Sequence, residues 1–404
     1  MKRLIKFLIS RSTPPQQPSL EKKASAVGSY VACNVMGRPV WTPRNYQLLA
    51  DEGYQKNVIV YRCVSLISRG LGSVPWLLYD HDEEVERHPL LDLLNCPSPR
   101  QAGSAFIEAL VGHLLLAGNA YIEAVFNGAG QVVELYALRP DRMQVIPGPT
   151  GLPIAYEYEV NGHKRRLECD PVTGRSAVLH LKNFHPLNDW YGMSPIEAAA
   201  RSIDQHNVVG EHNLALLQNG GRPSGALLFK PSNSNPLTEN QRETLREDIR
   251  RLYEGNANAG RILVLEGDFD WKEMGLSPKD LDFIEGKLLS AREIAQAFGV
   301  PPMLVGVTGD ATFANYKEAR YHLWEDTIIP LLEFLVAELN LWLCPYFSES
   351  LKLGYDTDEI PALAQRREAV WTKIQEADFL TINEKREAVG YSPIKDGDRF
   401  GRGG

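Results

Sequence analysis

The chain carries two hydrophobic periods, and they change places along its length. "NVIVYRCVSLISRGLGSVPWLLYD" has a helical period to about Gly70 and then an extended one over Trp76 to Tyr79. "HPLLDLLN" reads as a short helix. In "PSPRQ", Ser98 is an expected N-cap, with Pro99 at the first helical position and Gln101 three residues after the cap. The helix it opens runs through "SAFIEALVGHLLLAG". Period-two segments follow: "NAYIEAVF", "VVELYAL", "MQVIP", "IAYEYEV" and "SAVLHLKN", punctuated by Gly, Asn, Asp and Pro. This pattern predicts an α+β unit with a meander-type sheet.

From Tyr191 onward long helices take over. Ser194, Pro195 and Glu197 form a capping-box signature. Ile196, Ala199, Ala200, Ile203, Leu214 and Leu217 share one stripe of the helix that follows, which Gly220 or Gly221 ends. "SGALLFK", "LTENQRETLREDIRRLYEG" and "RILVLEGDFDWKEMG" then predict a strand, a helix and a hairpin turning near Gly267–Asp268. A second long helix opens at Ser277 and Pro278. Leu281, Ile284, Leu288, Ala291, Ile294 and Phe298 form its apolar stripe, opposite Asp282, Glu285, Arg292, Glu293 and Gln296. A third, "KEARYHLWEDTIIPLLEFLVAELNLWLCPYF", is apolar nearly all round. It is expected to be a buried spine kinked at Pro330. Its Glu333, Glu338 and Asn340 make it a poor membrane span. Thr381 to Glu384 is a further capping box, closed by Gly390.

Between the second and third long helices lies "FGVPPMLVGVTGDATFANY", Phe298 to Tyr316. A loop of this length inside a folded chain is unusual and often functional. It has neither a feeding strand nor a terminal lysine, so it is a poor phosphate cradle. Pro301 and Pro302 are expected to stop the preceding helix, and Gly306 and Gly309 to supply flexibility.

Composition narrows the function. The 404 residues are 44% hydrophobic and 23% charged, enough for a sizeable core. With 43 Lys+Arg against 51 Asp+Glu the formal charge is −8, which argues against a tight clamp on nucleic acid. It does not oppose a protein past which nucleic acid slides. The five cysteines, Cys33, Cys63, Cys96, Cys169 and Cys344, are widely spaced and include no CxxC pair, which suits a reducing compartment. Residues 11–26 are rich in Pro, Ser, Gln and charge and read as a mobile leader.

Catalytic signatures are missing: there is no GxSxG, HExxH or GxxxxGK[ST]. Cys169, His180 and His185 lack zinc-module spacing, and His206 and His212 fall on different helix faces. The acidic groups Glu266/Asp268/Asp270 and Asp356/Asp358/Glu359 could take Mg²⁺, but each sits where a turn or helix start favours Asp. Arg246, Arg250 and Arg251 are offset by Glu243, Glu247, Asp248 and Glu254, as on a solvated helix face or a charged docking surface.

Five stretches, taken in order and spacing, carry a resemblance. They are "LLLAGNAYIEAV" (Leu114–Val125), "YGMSPIEAA" (Tyr191–Ala199), "LQNGGRPSGALL" (Leu217–Leu228), "REIAQAFGVPPMLVG" (Arg292–Gly306) and "FLTINEKREAVGYSPIKDGD" (Phe379–Asp398). Over about residues 40–400 the chain resembles the portal proteins, or head-to-tail connectors, of tailed bacteriophages, prophages and gene transfer agents.

The resemblance implies a portal-type α+β fold. After a leader (1–26) come a wing (27–190), a first stem helix (191–221), a clip (222–277) and a second stem helix (278–298). A tunnel loop (299–316), a long wing helix and strand (317–359) and a short crown (360–404) complete it. It implies a non-enzymatic dodecameric ring at one capsid vertex of the virion, assembled in the host cytoplasm. Double-stranded DNA would pass through without tight binding, with neither cofactor, metal nor membrane. Val307, Thr308, Gly309, Asp310, Thr312 and Asn315 would face that DNA. Arg246, Arg250, Glu254, Asp268 and Asp270 would dock the large terminase and later the head-tail adaptor, and the major capsid protein would surround the ring. Two alternatives remain open. One is a metal-dependent nucleic-acid enzyme, which changes at Asp268 and Asp270 would inactivate. The other is an oligomeric scaffold with no DNA in its channel.

Overall fold

Asn57 starts the first substantial helix. Its side-chain Oδ1 accepts from the amides of Ile59 (3.1 Å) and Val60 (3.2 Å), satisfying two of the orphan donors at a helix start. The computed structural model describes residues 46–398, apart from 82, 150–151, 219–224, 230–238, 241–242, 245–246, 248–268, 274–282, 308–312, 390, 392 and 396. A short helix α1 (Tyr46–Leu48) continues as a π-helical turn, Leu49–Gln55, and Asn57 then opens α2 (Val58–Gly72). Strand β1 (Trp76–Asp80), the two-residue strand β2 (Glu83–Glu84) and α3 (Pro89–Asn95) follow, the last capped by His88.

Helix α4 (Gly103–Ala117) does not begin at Ser98. Ser98 and Gln101 close a turn instead, the Gln101 amide donating to the Ser98 carbonyl at 3.2 Å. The start slips to Gly103 because α3 packs there. A Cβ at Gly103 would lie 2.2 Å from the Leu94 carbonyl oxygen, so the close approach needs glycine. Phe106, Ile107, Leu110, Val111 and Leu114 turn inward against α2.

The strands do not form one meander. β3 (Asn119–Phe126) is the centre of one sheet, antiparallel to β4 (Val132–Leu138) on one side and to β8 (Val178–Lys182) on the other. β5 (Met143–Pro147), β6 (Pro153–Val160) and β7 (His163–Glu168) form a second sheet. The break lies at Pro140, which opens a 3₁₀ turn, Pro140–Arg142, and has no N–H to continue a ladder. Tyr121, Leu138, Met143, Val145, Tyr156 and Val178 make a small core between the sheets. An ion pair from buried Glu123 on β3 to Arg165 on β7 spans them at 2.5 Å.

The longer helices pack on this unit. α5 (Pro195–Gln218) starts as the sequence predicts, the Ser194 hydroxyl accepting from the Glu197 amide at 3.1 Å. Ile196, Ala199, Ala200 and Ile203 are buried, but Leu214 on the same stripe is exposed. β9 (Gly225–Phe229) pairs antiparallel with β10 (Phe269–Glu273), Phe229 opposite Phe269. Of the residues between them, the described Glu239, Asn240, Glu243, Thr244 and Glu247 are helical; the expected hairpin turn at Gly267–Asp268 lies outside the described residues. α6 (Phe283–Ala297) lies along α5, and the Ser202 hydroxyl donates to Glu293 across the pair at 2.6 Å.

The spine runs unbroken from Asn315 to Tyr346. It comprises α7 (Phe313–Leu323), a π-helical turn Trp324–Ile328, α8 (Ile329–Trp342) and a short 3₁₀ turn, Cys344–Tyr346. Pro330 lies in the first turn of α8, where it has no N–H to donate to the preceding turn, and the widened π-helical turn just before it accommodates that missing bond. By length and composition this helix would suffice to cross a membrane, contrary to the reading from its charges. Its apolar face is used inside: Leu323, Ile328, Leu332, Leu335, Leu339 and Leu343 are all core residues. Asn340 serves the core too. Its amide donates to the Leu353 carbonyl (2.9 Å) and accepts from the Leu353 amide (2.7 Å).

That clamp holds β11 (Leu351–Tyr355), which returns to pair antiparallel with β1, Trp76 opposite Tyr355 and Asp80 opposite Leu351. α9 (Ala364–Glu376) and α10 (Ile382–Ala388) follow, and Thr381 and Glu384 make the expected capping box. Gly390, its expected stop, lies outside the described residues.

His113 on α4 gives the fold a pH dependence. Its Nδ1 lies 3.2 Å from the Tyr46 hydroxyl, and burial lowers its pKa from the usual 6.5 to about 4. A lowered histidine keeps its stability above the unfolded value and loses it as pH falls. Stability is therefore expected to drop by about 3 kcal/mol between about pH 6.5 and pH 4. Urea midpoints at pH 7.5 and 4.5 check this. In His113→Gln the difference should shrink; an unchanged difference would assign the loss to other groups.

Candidate functional site

The loop after α6 is built in two parts. Its base is a helix C-cap. Gly299 takes a left-handed φ of +66°; its N–H donates to the Gln296 carbonyl (3.0 Å), and the Val300 N–H reaches back to the Ala295 carbonyl (2.9 Å). This is a complete Schellman stop. Gly299, then, and not the proline pair, ends the helix. Pro301 and Pro302 start the next element, a 3₁₀ turn over Pro302–Val305 that Gly306 closes at φ +83°. The Val307 amide donates back to the Pro302 carbonyl at 3.1 Å.

Phe298, Val300, Leu304 and Val307 all join the core. Val307, expected to face a channel, is only 5% exposed and roots the loop instead. A second anchor was not foreseen. The Thr327 hydroxyl, from the π-helical turn of the spine, donates to the Gly299 carbonyl at 2.7 Å. A Cβ on residue 299 would meet that hydroxyl oxygen at 2.5 Å. The only advance signal for Thr327 was Pro330 three residues on, which predicted a distortion there but not its use.

Thr308, Gly309, Asp310 and Thr312, the proposed tip, lie outside the described residues. The chain resumes in α7, where Asn315, Tyr316, Lys317, Glu318, Arg320 and His322 are exposed. Positive and negative side chains alternate here, as they do along the outer face of α6 with Glu285, Arg292 and Glu293. Neither helix presents a basic stripe.

The docking candidates Arg246, Arg250, Glu254 and Asp268 also lie outside the described residues; Asp270 sits on β10 opposite Leu228. Among the described residues the candidate metal ligands do not converge; Glu266 and Asp268 lie outside them. His180 bonds the Asn119 side chain at 3.0 Å, and the Leu187 amide donates to the His185 ring at 3.1 Å. His206 is buried against Asn57 at 3.2 Å, while His212 is exposed. Burial and nearby Lys287 lower the His206 pKa, keeping the ring neutral. Asp356 accepts from the Asp358 amide (2.7 Å) and Asp358 pairs with Arg367 (2.9 Å), so this acidic group closes a turn. Among the described residues, His322, Glu325 and Asp326 do come close enough to share an ion. All three are exposed, and His322 already pairs with Asp326 at 3.2 Å.

A third piece of geometry joins two of the stretches that carried the resemblance. Gly118 ends α4 at φ +69° and crosses Gly192, which lies just before α5. A Cβ on Gly118 would sit 2.5 Å from the Gly192 carbonyl oxygen, and one on Gly192 would sit 2.1 Å from that of Gly118. Asn119 bridges the crossing: it accepts from the Gly192 amide (2.8 Å) and donates to the carbonyls of Ala117 (2.8 Å) and Gly192 (3.3 Å).

The family model for the phage portal protein matches residues 58–390, from the first residue of α2 to just past α10. This chain belongs to the phage portal protein family. Among portal relatives, it is 26% identical over 361 residues to the portal protein of Enterobacteria phage HK97, covering 86% of this chain and 82% of that one. It is 44% identical over 349 residues to a Rickettsia bellii protein, covering 86% and 90%. A solved chain from the neck of an empty gene transfer agent particle superposes with a TM-score of 0.70 at 43% identity, over 92% of this chain and 98% of that one. One from the neck of the native particle, determined with C12 symmetry, gives 0.68 at 43%, over 89% and 96%. The portal family is generally structural rather than enzymatic.

Proposed function

We propose that twelve copies of this chain close into a ring at one vertex of a particle and form the channel through which double-stranded DNA enters and leaves. A portal channel for DNA packaging is the family's function. The observation that carries the finer reading is the match, over nearly the whole chain, to a chain of a gene transfer agent neck determined with C12 symmetry. In this reading α5 and α6 are the stem, β9–β10 belongs to the clip that meets the terminase and later the adaptor, and α9–α10 form a short crown. The loop rooted at Gly299 and Val307 is the tunnel loop. The outer faces of α6 and α7 carry balanced charge, which suits a wall past which a polyanion must move: each Lys/Arg–phosphate contact made must be broken for DNA to advance. The protein acts without cofactor or catalysis. The 43% identity to a gene transfer agent neck, against 26% to the phage HK97 portal, favours a particle of the former kind.

Electron microscopy of the purified full-length chain tests this directly. The expected image is a ring whose central hole admits a DNA duplex. A compact monomer at micromolar concentration would refute it.

A further inference from the structure

Phe184 and Leu187 are 86% and 87% exposed, yet the loop that carries them is tightly fixed. Asn183 closes residues 183–193 on themselves, its side-chain amide donating to the Met193 carbonyl at 3.2 Å and its backbone amide to Gly118 at 2.9 Å. From the end of β8, Lys182 donates to the Asp189 carbonyl at 2.6 Å. The Asn188 side chain accepts from the amides of Trp190 (2.9 Å) and Tyr191 (3.1 Å). This is a compact Ω-type loop with bonded ends. Two large apolar side chains exposed on a loop with bonded ends have little purpose in a lone protomer. They suit an interface, where fixed aromatic anchors lose little entropy on docking.

A recess of matching chemistry lies at the start of α2. Tyr54, Gln55, Lys56, Asn57, Val58 and Tyr61 line a hollow of about 460 Å³. Its rim is apolar, with Val58 66% and Tyr61 45% exposed and the Tyr54 and Tyr61 rings 5.2 Å apart. Knob and hollow both border α5. The loop runs straight into α5, and the hollow sits on the segment that packs along α5, where Gly53 meets Ile196 and Asn57 bonds His206 and Asn207. A cyclic ring closes by a heterologous contact, so each protomer must present two different, complementary patches.

We propose that Phe184 and Leu187 of one copy seat in the Tyr54–Val58–Tyr61 hollow of the next. This rests on the ring reading above and adds the residues that close it. The occupant is a second copy because the 43% identical chain comes from a neck determined with cyclic symmetry, whose closure needs two such complementary patches on every copy.

Pairing Phe184→Cys with Tyr61→Cys, and Leu187→Cys with Val58→Cys, in the full-length chain tests it. Mild oxidation is expected to give a ladder of covalent oligomers that each single variant lacks. Phe184→Glu/Leu187→Glu, and separately Val58→Glu/Tyr61→Glu, are expected to lower the ring population roughly tenfold or more at fixed concentration, as loss of an anchor does. All four side chains are exposed, so thermal melts of the protomers should not change. Rings from both charged variants together with no ladder would overturn the proposal while leaving the portal reading intact. Intact rings whose Phe184→Glu/Leu187→Glu variant fails only in particle assembly would overturn it in favour of another protein as occupant. A wild-type chain that forms no ring would overturn the reading beneath it.

Discussion

Deleting residues 308–312 is expected to leave the ring assembled and to reduce DNA-filled particles to a small fraction of wild type. The boundaries follow from the base of the loop. Val307 belongs to the core and Gly299 to a helix cap, so a cut that includes either would disturb α6 itself. The shorter deletion removes only what lies beyond the anchors, so ring assembly reports on the fold and DNA content on the loop. Quantifying nuclease-protected DNA per particle, beside ring images of the same variant, separates the two. Normal DNA content would show that the tip has no mechanical part. Thr327→Val offers a milder companion. It removes one hydroxyl bond to Gly299, worth about 1 kcal/mol, and should loosen the loop without shortening it.

Gly192→Ala should be the most damaging small substitution at the crossing before α5. The added Cβ would meet the Gly118 carbonyl oxygen at 2.1 Å and the Asn183 amide nitrogen at 2.6 Å. Both obstacles are backbone, so neither can swing aside. A loss of about 3 kcal/mol is expected, at the upper end of what overpacking does. Asn119→Ala should lose about 2 kcal/mol by leaving buried backbone groups unpaired. Urea denaturation of the variants measures both. A Gly192→Ala protein as stable as wild type would mean that the two segments can part without consequence.

Much of this was legible in the chain because it depended on local chemistry. Ser194 before Pro195, Thr381 before Glu384 and the helical stripe through Ile196 to Ile203 each announce a structure that short-range bonds enforce. The misreadings arose where distant residues decided. Ser98 has every local mark of an N-cap, but α3 packs so closely that the helix can start only at Gly103. The strands after Asn119 look sequential, yet β8 pairs with β3 because Pro140 had already diverted the chain into a second sheet. The root of the loop was half legible. The glycines and prolines marked a stop, but which residue made it depended on the left-handed φ at Gly299 and on Thr327 from the spine. Asn340, which the sequence counted with Glu333 and Glu338 against a membrane span, stands in for a strand neighbour of Leu353.

The β1–β11 pairing also sets an order of events during synthesis. Asp80 must wait for Leu351, its partner across the ladder. At about 5–20 residues per second the ribosome needs about 14–54 s to supply that partner. Until then β1 has only the two-residue strand β2 beside it, and for most of that interval the core against α2 also lacks the spine. A nascent chain is therefore an incomplete subunit almost to its end.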